Sequence, residues 1–238
     1  MAKRCIVDIE NLRFRWNKQQ GICLDIPRFS ITESERIFLY GPSGSGKSTL
    51  LGLLGGVLTP EQGSLHILDT DLSQLAGQAR DRFRVDHIGF IFQQFNLIPH
   101  LSMLDNVLLP CRFSSRRRER ALAAGLSLPD EARRLLSHLD LNPDLQNRPV
   151  TELSVGQQQR VAAARALIGG PEILIADEPT SSLDAERQDD FLDLLLKECS
   201  DSNASVIFVS HDKRLMSHFD RALALDEINR AATSESQA

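Results

Sequence analysis

The 238-residue sequence predicts an α/β fold with a mostly parallel sheet, on three observations. Short, unbroken apolar runs at residues 173–176 and 206–209 have the length and content of strands buried on both faces of a parallel sheet. These runs alternate with helical stretches, the pattern of an α/β core. A glycine-rich loop at residues 41–46 stands between an apolar strand, residues 36–40, and a helix that begins near Lys47.

Taken in order, residues 5–9 and 22–26 read as short strands with partial alternation. The helix from Lys47 runs toward Leu58 and ends at Gly55-Gly56 or Pro60. Residues 87–92 form another strand. From Leu97 to Val150 the chain turns helical, with breaks at Pro99, Pro110, Pro129, Pro143 and Pro149, and looks like a subdomain inserted into the core. Residues 221–225 give a weaker last strand, and the small, polar tail from Asn229 to Ala238 reads as flexible. No internal repeat is visible.

The composition is globular: 42% hydrophobic and 25% charged. A formal net charge of −5 argues weakly against a nucleic-acid partner. Cys5, Cys23, Cys111 and Cys199 form no CxxC pair, which fits a reducing compartment. His66, His87, His100, His138, His211 and His218 show no metal-ligand spacing. The N-terminus has no apolar secretory core, and no run approaches the ~18–20 apolar residues of a membrane span.

Gly41-Pro-Ser-Gly-Ser-Gly-Lys-Ser-Thr49 matches G-x-x-x-x-G-K-[ST], the phosphate-binding P-loop. Along Gly41, Pro42, Ser43, Gly44, Ser45 and Gly46 the glycines let successive backbone N–H groups point inward and cradle phosphate oxygens without Cβ clashes. The following helix points its positive end at the same place. Lys47 neutralises β- and γ-phosphates, and Ser48 can ligate Mg²⁺. Ile173-Leu-Ile-Ala-Asp-Glu178 is an apolar strand ending in two acids. Buried acids are costly unless they pair or meet a metal, and the carboxyl end of a parallel strand is where such sheets bind ligands. Asp177 is placed to hold Mg²⁺ through water and Glu178 to polarise an attacking water.

Leu153-Ser-Val-Gly-Gln-Gln-Gln-Arg-Val161 has capping-box spacing at Ser154 and Gln157, before an alanine-rich helix that stops at Gly169-Gly170-Pro171. This segment resembles the LSGGQ signature of ABC ATPases, with Val155 where that pattern has glycine. If the position needs close backbone approach or positive φ, a β-branched residue suits it poorly. The resemblance covers residues from about 5 to 226. It implies a P-loop NTPase core with a mostly parallel sheet, an N-terminal antiparallel β subdomain and an inserted helical subdomain near residues 97–155, all within one domain of residues 1–228.

What the resemblance implies for function follows residue by residue. Ser154, Gly156 and Gln157 bind the γ-phosphate of ATP held by the P-loop of a second subunit. Gln93 sits like the Q-loop glutamine that contacts Mg²⁺ and water. Ser181-Ser-Leu-Asp184 looks like the D-loop that crosses the dimer interface, with Asp184 beside the nucleotide. His211 looks like the switch histidine. Trp16 stands where the family places an aromatic that stacks on adenine; with Phe14 close by, ordinary packing is the other reading. Gln93, His211 and Glu178 are the catalytic candidates, and Ser48, Gln93 and Asp177 the metal candidates.

At finer grain, Phe92-Gln-Gln-Phe-Asn-Leu-Ile-Pro99 and Asp105-Asn-Val-Leu-Leu-Pro110 are similar to the subgroup serving lipoprotein release and macrolide or peptide export. Ser181-Ser182 departs from that subgroup's Gly-Asn. The implied protein is a homodimer of ATP-hydrolysing subunits with ATP and Mg²⁺. It would be cytoplasmic and peripheral on the inner face of the cell membrane, bound to an integral membrane permease. A soluble or regulatory ABC ATPase uncoupled from transport is the alternative. Soluble relatives usually carry two ATPase domains or long coiled coils, and this chain has one P-loop and no sustained heptads. The arginine-rich run at residues 114–120 reads as a solvated helix face.

Overall fold

The computed structural model describes residues 3–181 and 183–231. These fall into two compact units, one built from the chain up to Arg84 and from Ile207 onward, the other from Val85 to Val206.

In the first unit, strands β1 (Cys5–Phe14), β2 (Leu24–Thr32), β4 (Gln62–Ile67) and β5 (Thr70–Asp71) form an antiparallel sheet in the order β2-β1-β4-β5. β1 is twice the expected length. Beyond Ile6, its buried side chains fall at Val7 and Ile9, then at Leu12 and Phe14, so the alternation changes phase midway. The change sits at a bulge between Glu10 and Arg13, where Asn11 adopts φ 50°. Opposite it Gly63, at φ 85°, admits the Asn11 carbonyl so closely that any Cβ would collide. β2 changes phase in step, from Ile26 to Phe29, because Ile26 faces Leu12 and Phe29 faces Ile9.

The same unit holds β3 (Arg36–Tyr40) and β9 (Arg221–Ala224), paired in parallel with Phe38 opposite Ala222. α1 (Lys47–Leu54) follows the glycine-rich loop and ends at Gly55. Two elements are unanticipated from sequence: the β4–β5 hairpin and α2 (Gly77–His87), a polar helix with Phe83 as its one buried residue, whose last three residues belong to the second unit. A short α8 (Leu225–Ile228) closes the unit. Just after it Asn229, where the flexible tail was expected to begin, is 2% exposed. Residues 232–238 of that tail lie outside the described residues.

In the second unit β6 (Ile88–Ile91) and β7 (Ile173–Asp177) pair in parallel, Ile88 with Ile173 and Ile91 with Ala176. β8 (Ser205–Val209), which begins in this unit and ends in the other, is buried at every position, and β7 at all but Asp177, as strands covered on both faces should be. Around them lie α3 (Met103–Phe113), α4 (Ser115–Leu122), α5 (Leu128–His138), α6 (Val155–Leu167) and α7 (Ala185–Asp201). Gly89 of β6 lets α6 approach until the Ala166 carbonyl occupies the place of a Cβ.

One expectation for this region is corrected and one holds only in part. Pro110 does not break the helix: α3 continues through it to Phe113, because a proline in the last turn forfeits one intrahelical bond near an end that frays anyway. The arginine-rich run is a solvated face at Arg116, Arg118, Glu119 and Arg120, but not at Arg117. Arg117 is 3% exposed and donates to the carbonyls of Ala166 and Ile168, closing the C-terminus of α6. Burial pushes its guanidinium down to about 10. Arg116 and Arg120 both pair with Glu172. Burial alone would raise the Glu172 carboxyl, but hydrogen bonds from His87 and Arg116 and the charge of Arg120 outweigh it and hold the group at about 2.

Candidate functional site

In the first unit the glycine-rich loop leaves β3 and enters α1 in a single tight turn. Gly46 is the N-cap of α1 at φ 102°, and a Cβ there would stand 2.8 Å from Leu24 Cδ2. Only glycine fits both the backbone and the space. No side chain caps this helix. Lys47 is 7% exposed, and its Nζ donates to the carbonyls of Gly41 at 2.8 Å and Pro42 at 2.9 Å, drawing the loop into a ring. Ser48 is exposed in the first turn, whereas Thr49 is buried with its hydroxyl accepting from the Cys23 thiol at 3.6 Å.

Beside the loop lies a cavity of about 560 Å³, walled by residues 20–23, by Pro42, Ser43, Gly44 and Ser45, and by Asn229 and Ala231. Asn229 ties these walls together. Its side-chain amide accepts from Asp25 N and donates to the carbonyls of Cys23 and, more weakly, Ser45. Sequence carried no signal for Asn229. A second cavity of about 440 Å³ is lined by Tyr40, Gly41, Pro42 and His211, with Lys213, Ala224, Asp226 and Glu227. The unit thus brings His211 to the other side of the same loop. Trp16 is 60% exposed, meets the Phe14 ring edge-on at 5.3 Å, and lines neither cavity.

These features fit a polyphosphate. A ring of backbone closed by an ammonium, at a helix start without a side-chain cap, is an anion cradle. Ser48, Gln93 and Asp177 offer hydroxyl, amide and carboxylate oxygens, the hard donors that Mg²⁺ takes.

In the second unit, parallel pairing of β6 and β7 brings Gln93, two residues past β6, and Asp177, the last residue of β7, to the same edge of the sheet. Glu178 follows with φ 47°, a left-handed backbone that non-glycine residues adopt at a cost and that clusters at functional sites. Elsewhere in this unit Ser154 caps α6. Its Oγ accepts from Gln157 N at 3.3 Å, and Gln157 Oε1 accepts from Ser154 N at 2.9 Å, so the capping box forms as its spacing requires. Gly156 has open space, with Leu183 Cδ2 alone 3.8 Å from where a Cβ would stand. Val155 is the first helical residue of α6, 51% exposed, and does not take positive φ. Asp184 caps α7, accepting from Arg187 N at 3.0 Å.

The protein-family model for ABC transporters matches residues 24–181, which include the glycine-rich loop, the capping-box segment and the Asp177-Glu178 pair. The chain belongs to the ABC transporter family. It is the ATPase domain of that family, and its fold is the ABC cassette, with an antiparallel N-terminal sheet and a parallel sheet. Among curated relatives, the macrolide export ATP-binding/permease protein MacB of Burkholderia pseudomallei is 37% identical over 219 residues. That alignment covers 90% of this chain and 32% of MacB. An ABC transporter ATP-binding protein of Mycobacterium tuberculosis, Rv2564, is 38% identical over 208 residues, covering 86% of this chain and 58% of the relative. The chain therefore spans from about a third to somewhat over half the length of these relatives. A solved dimer of the cassette MJ0796, in a post-hydrolysis state bound to ADP and Pi, superposes with a TM-score of 0.78 at 34% identity, covering 92% of this chain and 94% of the other. Among the described residues, no helix of the ABC domain is long and apolar enough to cross a membrane.

Proposed function

We propose that two copies of this chain close around two ATP molecules, hydrolyse them, and drive an integral membrane permease from its cytoplasmic face. The observation that carries this reading is the Asp177-Glu178 pair. It ends a fully apolar strand, and Glu178 is held in a left-handed backbone at the sheet edge that also carries Gln93.

In this reading, residues 41–49 hold the triphosphate, Lys47 neutralises its β- and γ-oxygens, and Trp16 packs on the base. Ser48, Gln93 and Asp177 hold Mg²⁺, which supplies charge neutralisation for the phosphates. Glu178 orients water and takes its proton, and His211 fixes the reacting end of the nucleotide. Ser154, Gly156 and Gln157 of one copy reach the γ-phosphate held by the other, and Asp184 lies at the junction of the two copies. The dimer of MJ0796 with ADP and Pi supports the paired arrangement. The relatives named as ATP-binding/permease proteins support coupling to a permease, and their macrolide and syringafactin export supports an export role.

Glu178→Gln tests hydrolysis and pairing together. Loss of the carboxylate should slow turnover by roughly 10²–10⁴-fold while ATP still binds. The variant should run as a monomer on gel filtration without nucleotide and as a dimer with Mg-ATP. Hydrolysis at the wild-type rate would remove Glu178 from its role. A variant that binds ATP, fails to hydrolyse it and stays monomeric would remove the paired arrangement.

A further inference from the structure

The loop that carries Gln93 is gripped by the helix that carries the signature. Phe95 and Asn96 are consecutive non-glycine residues in left-handed backbone, at φ 59° and 49°. Their own N–H groups bond back within the loop, Phe95 N to Phe92 O and Asn96 N to Gln94 O. Such a double kink persists only where its surroundings over-determine it. The Phe95 side chain is buried, and one further side chain holds both carbonyls of the kink. Arg165, in the last turn of α6, donates to Phe95 O at 2.5 Å and to Asn96 O at 2.6 Å.

Among the described residues Arg165 has no carboxylate partner, so both arms of the fork go to these two carbonyls. The side chain is half-buried, and burial lowers its pKa. The far side of the loop is anchored separately. Asn106, fully buried in α3, accepts from Ile98 N and donates to the carbonyls of Ile98 and Leu101. With residues 98–101 fixed to α3, residues 95–96 are left to follow α6.

We propose that Arg165 is a positioning residue for Gln93. It ties the kink behind Gln93 to α6, so that any displacement of the signature end, Ser154 to Gln157, is transmitted along a rigid helix to the loop. The proposal rests on the reading of Gln93 as a site residue, and goes beyond it by naming what sets that residue's position.

The test combines hydrogen exchange with steady-state hydrolysis on the full chain. In Arg165→Met, exchange at the Phe95 and Asn96 amides should quicken about tenfold or more, while the interior amides of α6 stay protected. Turnover should fall by about tenfold with the KM for ATP within about twofold, since the nucleotide cradle is untouched. Arg165→Lys should recover only part of both, because a point charge cannot hold two carbonyls as a planar fork does. Adding Asn96→Gly to Arg165→Met should restore part of the turnover, because glycine takes the left-handed turn without being held. A role confined to packing α6 would not be rescued from the loop.

Unchanged exchange at residues 95–96 in both Arg165 variants overturns the proposal. So does wild-type turnover in Arg165→Met alongside a slowed Gln93→Ala. If Gln93→Ala itself turns over normally, the reading of the site has failed, and the exchange result alone then judges the grip. Should Arg165→Met not fold, Arg165→Lys carries the same two readouts.

Discussion

α1 and α6 both begin at positions where the family's chemistry puts phosphate, and they are built in opposite ways. α1 starts at a left-handed glycine with no side-chain cap, beside a buried lysine that bonds to the loop's own carbonyls. α6 starts at a serine in extended backbone, and Ser154 and Gln157 satisfy each other's N–H groups. Helix starts leave their first N–H groups without intrahelical partners. At α1 the sequence offers those groups to a ligand. At α6 it has already supplied side-chain oxygens. The first end is therefore shaped for an anion by itself, whereas the second is capped at Ser154 N and Gln157 N, which leaves the N–H groups of Val155 and Gly156 without a side-chain cap. A chain with one end of each kind suits a division of labour, in which its own cradle binds ATP and its capped end acts on nucleotide held elsewhere.

The largest expected effect breaks the α1 side of this contrast. Lys47→Ala removes the point charge and also the two bonds that ring the loop. Charge-assisted bonds to phosphate are among the strongest in proteins, so ATP affinity should fall by at least about 100-fold in a fluorescence titration. Affinity within a few-fold of wild type would show that the ring is ordinary loop closure and would leave the cradle without its cation.

Ser154→Ala sharpens the α6 side. Losing the cap should cost about 1 kcal/mol and lower the melting temperature by roughly 2–4 °C. ATP affinity of the isolated chain should not change, because the cradle is elsewhere in the sequence and intact. Steady-state hydrolysis should fall, because the capped end would be needed in the paired state. A drop in single-chain ATP affinity matching the drop in turnover would erase the distinction between the two ends.

How much of this was legible in sequence depended on how local the signal was. β7 and β8 were read nearly to the residue because both faces are buried and the run is unbroken. The capping box was readable because its two partners lie three residues apart. β1 was half read, since the bulge at Asn11 shifts the alternation and makes one strand look like a short one followed by noise. The arginine run was read as a solvated face, which holds for Arg116, Arg118 and Arg120, but Arg117 was missed because a sequence shows charge and not burial. Arg117 is covered because the carbonyls of Ala166 and Ile168, some fifty residues on, need a donor. Arg165 and Asn229 gave no signal for the same reason: their partners are main-chain atoms far away in sequence, and carbonyls are identical in every residue. Of the site, the phosphate loop and the acid pair were legible because their chemistry needs particular side chains at fixed spacing.

The smallest expected effect concerns Val155, where the sequence suggested crowding. The structure removes the backbone half of that concern. Val155 is the first residue of a regular helix, exposed to solvent, and needs no left-handed turn. What remains is the isopropyl group itself, standing beside the capped end where a second chain's nucleotide would approach. Val155→Gly should therefore leave the fold intact. Exchanging a β-branched residue for glycine in a first helical turn should cost roughly 0.5 kcal/mol or less, since both are poor helix formers and a helix end feels propensity least. Basal hydrolysis should be equal or faster, because the one group removed is bulk at the approach to phosphate. The decisive measurement is turnover at saturating ATP, with the melting temperature followed in parallel. A several-fold loss of turnover with an unchanged melting temperature would mean that Val155 makes a contact in the paired state. The capped end would then owe its action to an apolar surface as well as to its N–H groups, and the contrast between α1 and α6 would be one of partner recognition more than of capping.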